Sequence, residues 1–140
     1  MKSHLKIESQ SLPAITETIH LEKVSYLFGE NGLTYISFKE GHSIDLLDSE
    51  KEYKMLMERK EKLPLKAVVF VEPFVTISKN SLRFWLTGKG KGLIEKEAIL
   101  SNELAPRIML IGVKKLIPKF DMQVKIFKSL KRAENWALGL

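Results

Sequence analysis

The sequence reads as an α/β domain of layered architecture, with a mostly parallel sheet entered through an N-terminal hairpin. Three observations point there. Two alternating apolar runs flank the turn "GENG" near the start, and an unbroken β-branched run, "AVVFV", sits mid-chain where a strand covered on both faces belongs. Beyond Gly41, stretches of helical period alternate with short strand-like runs, the pattern of helices that cross between parallel strands. At 140 residues the chain can bury one core, hiding about two thirds of its extended surface.

Residues 1–18, interrupted by Pro13, show no sustained period and read as an N-terminal arm, which leaves residues 19–140 as a single domain. From His20 to Phe28, Val24, Tyr26 and Phe28 alternate with Lys23 and Ser25, as in a half-buried strand. Asn31-Gly32 suits a turn with positive φ, and "LTYISFKEG" supplies the returning strand. Leu46, Tyr53, Leu56 and Met57 then fall on one helical face. Asp45 can cap that helix, and Ser49 with Glu52 offers a second start as a capping box. Acids early and bases late complement the helix dipole, so the charge run reads as a solvated face. Ala67–Val71 is the central strand. Ser78 caps a second helix carrying Leu82, Trp85 and Leu86, which stops at Gly88. A strand over Glu97–Ser101, an apolar helix over Asn102–Ile117, a strand over Gln123–Phe127 and a helix over Lys128–Leu138 complete the order β-β-α-β-α-β-α-β-α.

Composition narrows the function. Without cysteine there is no disulfide framework, thiolate metal site or cysteine nucleophile. His4, His20 and His42 have no metal-ligand spacing. No stretch approaches the roughly 20 apolar residues of a membrane span, and the start has no apolar leader core, so the expectation is a cytoplasmic protein with no membrane insertion. The formal charge of +6 is carried entirely by Lys114–Arg132. With Phe120 and Phe127 interleaved, this segment is the one feature that favours nucleic acid, but no recognised DNA- or RNA-binding motif surrounds it, and a solvated face accounts for it better.

The "TGKGKG" run resembles a phosphate cradle in composition but follows a helix, where carbonyls rather than N–H groups are exposed. Gly88 suits a left-handed cap there, with Lys89 and Lys91 complementing the dipole. No nucleophile elbow, Walker lysine, paired histidines or dinucleotide fingerprint occurs, and Glu72 and Glu97, placed near strand ends, are the carboxylates left for acid–base work. No catalytic residue, cofactor or metal is assigned. The helix bearing Leu104, Ile108 and Ile111 is apolar on more than one face; a dimer partner, the N-terminal arm or an apolar ligand would each cover the second.

Element order resembles the STAS domain family, and in particular its bacterial SpoIIAA-like (STAS/Sec14-like) branch. "LKAVVFVEPFVTISKNSLRFWL" is similar to the family's central strand, loop and second helix, "EAILSNELAPRIMLIG" to the next strand and helix, and "VKIFKSLKRAENWAL" to the last pair, with coverage from about residue 19 to 138. In the family's signalling members, a serine in an Asp-Ser-Ser-Gly segment opening the second helix is phosphorylated by a partner kinase. Here that stretch is Ser78-Lys79-Asn80-Ser81, with Asn80 at the acceptor position and neither the acid nor the glycine. The resemblance implies a non-enzymatic regulatory protein that works through a protein partner, with Phe74, Thr76, Ser78, Lys79, Asn80 and Ser81 as the interaction loop and Leu104, Ile108 and Ile111 as an apolar surface, either for the partner or for a homodimer. The alternative is a binder of an apolar or lipid-like small molecule.

Overall fold

The computed structural model describes residues 7, 10–72, 75–101 and 123–140. In chain order the described elements are β1 (Ile15–His20), β2 (Val24–Gly29), β3 (Thr34–Phe38), β4 (Ser43–Ile44), α1 (Leu46–Met57), β5 (Leu65–Val71), β6 (Thr76–Ile77), α2 (Lys79–Leu86), β7 (Ile94–Leu100), β8 (Gln123–Phe127) and α3 (Leu130–Leu138), with one 3-10 turn at Lys60–Lys62. Six strands form one sheet in the order β1-β2-β3-β5-β7-β8, and β4 pairs with β6 apart from it. β1–β2 and β2–β3 are antiparallel; the remaining pairs of the large sheet are parallel. Of these six strands β2 alone therefore runs against the rest. The helix expected over Asn102–Ile117 lies outside the described residues.

The first correction is at the N-terminus. Residues 15–20, of which 15–18 were expected within an arm, form the edge strand β1, so three strands of the large sheet and not two precede α1. Alternation is present in "ITETIH", but its inward set is Ile15, Glu17 and Ile19. Glu17 breaks the apolar signal. Its carboxylate is gripped by Arg59, which follows α1, through Nη2 at 2.8 Å and Nε at 3.1 Å. The antiparallel strand β2 is consequently an interior strand and not an edge.

The hairpin follows its turn chemistry: Gly32 has φ 90°, and Asn31 Oδ1 accepts from the Leu33 amide at 3.1 Å. Pleating then sends alternate residues to two cores. On one face Val24, Tyr26, Phe28, Ile36, Ala67 and Val69 meet Met55 and Leu56 of α1, with Trp85 of α2 packed alongside. On the other, Tyr35, Val68, Phe70, Ala98 and Leu100 lie under Ala133 and Ala137 of α3. The Ala67–Phe70 run feeds both cores, which is why it lacks polar alternation.

The end of α2 differs from the expected left-handed Gly88. Thr87 caps the helix, and the left-handed residue is Gly92, φ 87°. Glycine is needed earlier for space: a Cβ on Gly90 would lie 2.7 Å from the Trp85 ring, and one on Gly88 would lie 3.0 Å from Phe84 Cα. Lys89 lies over the Tyr53 ring at 4.8 Å. The glycine–lysine run is thus packed against α2 through its glycines and against α1 through Lys89, a helix stop as expected.

Candidate functional site

The two-residue strands β4 and β6 decide where the candidate loop sits. Each leads directly into a helix, β4 into α1 and β6 into α2, and their parallel pairing sets the two helix starts side by side. Thr76 N donates to His42 O at 3.2 Å and Ser78 N to Ile44 O at 2.9 Å. Lys23 Nζ ties the ladder to β2 through Ser43 O and the Asp48 carboxylate, each at 2.8 Å.

Both helices are capped locally. Asp45 accepts from the Asp48 amide while the Asp48 side chain accepts from the Asp45 amide, so the capping box is Asp45–Asp48 and not Ser49–Glu52. Ser78 accepts from the Ser81 amide at 3.1 Å, as expected of an N-cap. Of the loop residues singled out from sequence, Thr76, Lys79 and Asn80 are exposed and Ser78 half-buried. Ser81 is 0% exposed, its hydroxyl 3.5 Å from Ile44 O, so it belongs to the packing beneath the loop. Phe74, Leu104, Ile108 and Ile111 lie outside the described residues.

The ladder brings in two residues, one of which the pattern had placed elsewhere. Leu46, read as part of the inward face of α1, is 37% exposed, and Leu47 is 60% exposed. The inward stripe of α1 is instead Ser49, Glu52, Met55 and Leu56. Ser49 and Glu52 are polar, which disguised the stripe; their 49, 52, 56 spacing to Leu56 was the signal available. Ser49 Oγ accepts from Trp85 Nε1 at 3.1 Å, joining α1 to α2.

Glu52, read as part of a solvated face, is the larger correction. It is 2% exposed, Oε1 accepts from the Tyr26 hydroxyl at 2.5 Å, and the buried Oε2 has no hydrogen-bond partner. Burial pushes this carboxyl up to about 8; the Tyr26 hydrogen bond pulls it down, and the like charges of Asp48 and Glu97 push it further up. Burial also holds the Tyr26 phenol well above its ordinary range. Glu97 lies in the middle of β7, not near its end, opposite Ala67 and Val124 and on the same face of the sheet. Burial pushes it up to about 7. A second pair occupies the other face: the Tyr35 hydroxyl donates to Glu134 of α3 and accepts from Asn31 Nδ2.

A cleft of about 320 Å³ opens at the N-terminal ends of β5, β7 and β8, among Pro64, Trp85, Ile94, Glu95 and Gln123, and includes none of the loop residues. Among the described residues no group of three or more carboxylate or imidazole side chains is placed to hold a metal, and no helix is long and apolar enough to cross a membrane.

This architecture is SpoIIAA-like. The chain is similar to the crystal structure of an uncharacterised protein of the DUF3478 family with a SpoIIAA-like fold from Shewanella loihica PV-4, with a TM-score of 0.54 and 14% identity, over 92% of this chain and 98% of that one. At that identity the likeness is one of fold, and it agrees with the resemblance read from the sequence. No protein-family profile matches the chain, and no curated protein is similar to it in sequence.

Proposed function

We propose that this chain is a non-enzymatic cytoplasmic regulator that binds another protein through the end of the molecule where β4, β6 and the starts of α1 and α2 converge. The observation that carries this reading is the pair Leu46 and Leu47, large apolar side chains exposed at a helix start beside the ladder, which presents Thr76 and leads into Lys79 and Asn80 of α2. Apolar side chains bordered by exposed polar ones make the usual centre and rim of a protein contact. An acid–base role for Glu52 is disfavoured because a side chain 2% exposed is out of a substrate's reach.

The test is affinity capture from the native cell at physiological salt, comparing wild type with Leu47→Asp and Asn80→Asp. The same partner retained by wild type and lost by Leu47→Asp supports the reading. Equal recovery on all three baits overturns this surface as the binding site. An apolar small molecule carried through gentle purification and seen as extra mass by native mass spectrometry would favour the ligand-binding alternative.

A further inference from the structure

We propose that docking of α1 onto the sheet takes up a proton at Glu52, so that the hold on this helix, and on the Leu46–Leu47 surface at its start, weakens as the surroundings become more alkaline. The geometry carries it. Glu52 lies within the inward stripe of α1, and its carboxyl faces β2, where Tyr26 supplies one hydrogen bond to Oε1. Oε2 is buried with no partner. The hydroxyl of Ser49, one turn earlier on the helix, is already engaged by Trp85 of α2.

The groups around Glu52 do not compensate a negative charge. From β2 it meets Tyr26; from β7, Glu97; from its own helix, Asp48. The core it joins is built from Ile36 of β3, Ala67 and Val69 of β5 and Trp85 of α2, none of them charged. Among the described residues no cation acts on it, and Lys23, which immediately precedes β2, is held by Asp48 and Ser43 O. A buried carboxylate with one donor and two acidic neighbours is far less stable than the neutral acid. Released into water with its helix, the same group ionises at an ordinary carboxylate value. Seating the helix therefore binds a proton, and release returns it to solvent.

The sign follows from linkage. Glu52 is raised on docking, so the contribution is fully present below the unfolded value of 4.5 and is lost as pH rises through the window up to about 8. The experiment is amide hydrogen exchange of the full chain from about pH 5 to about pH 9, reported as the protection of the Ser49–Leu56 amides relative to those of α3. The expected ratio falls by up to about tenfold per pH unit and levels off once Glu52 ionises in place. Glu52→Gln flattens it. Tyr26→Phe, which removes the bond favouring the charged form, moves the levelling-off to higher pH, and Glu97→Gln moves it to lower pH. A wild-type ratio independent of pH overturns the proposal, as does a fall that Glu52→Gln retains or shifts in the reverse order for the other two variants. The wild-type profile decides even where a variant does not fold.

Discussion

Two tyrosine–glutamate pairs lie on opposite faces of the sheet, on neighbouring strands, and their surroundings set them apart. Tyr26 of β2 donates to Glu52 of α1, and Tyr35 of β3 donates to Glu134 of α3. In the first pair the carboxylate is sealed, its second oxygen has no partner, and its charged neighbours are acids. In the second the glutamate is half-buried and Asn31 adds a donor to the tyrosine oxygen. The same side chains thus make a tie that water relieves on one face and a proton-dependent one on the other. Solvent access, more than the identity of the partners, decides whether a tyrosine–carboxylate bond across a helix–sheet seam depends on neutral pH.

The largest expected effect is the pH dependence that Glu52 gives the fold. Unfolding free energy measured by urea should fall as pH rises from about 5 to about 8, with Glu52 contributing up to about 4 kcal/mol of that loss. Glu52→Gln should remove the larger part of the slope and leave the share of Glu97, which ends nearer 7.

Tyrosine truncation comes next. Tyr26→Phe should cost about 1–3 kcal/mol, more at alkaline than at mildly acidic pH, because it leaves a buried carboxyl with no donor. Tyr35→Phe should cost about 1 kcal/mol, since Glu134 keeps water. Equal costs at every pH would show that burial is not the difference. The smallest effect sharpens the α1 side: Trp85→Phe, which removes the indole donor to Ser49, should cost about 1 kcal/mol in the same titration and leave the pH slope in place.

How far the sequence foretold all this depends on the range of the interactions. The hairpin, β5, β8 and the start of α2 follow from local chemistry: Asn31-Gly32 in the turn, Ala67–Val71 as a doubly covered strand, Ser78 at a cap. β1 was hidden because Glu17 takes an inward position that Arg59, 42 residues later, makes tolerable. The β4–β6 ladder exists only through pairing of segments 33 residues apart, and no two-residue strand carries a period. Glu52 was hidden for the same reason as Glu17: a charged residue on an inward stripe reads as solvent-facing until its partner on another element is known. Leu46 was mistaken for core because apolar spacing alone does not tell the first turn of a helix from its buried middle.

The central claim is that the two glutamates, each bonded to a tyrosine, differ because one is sealed from water, and the carboxyl 13C resonance of Glu52, followed by NMR through a pH titration of the folded protein, tests it most directly. The expected result is a midpoint at about 8, moving up in Tyr26→Phe and down in Glu97→Gln. A midpoint in the ordinary carboxylate range, near 4.5, would contradict it.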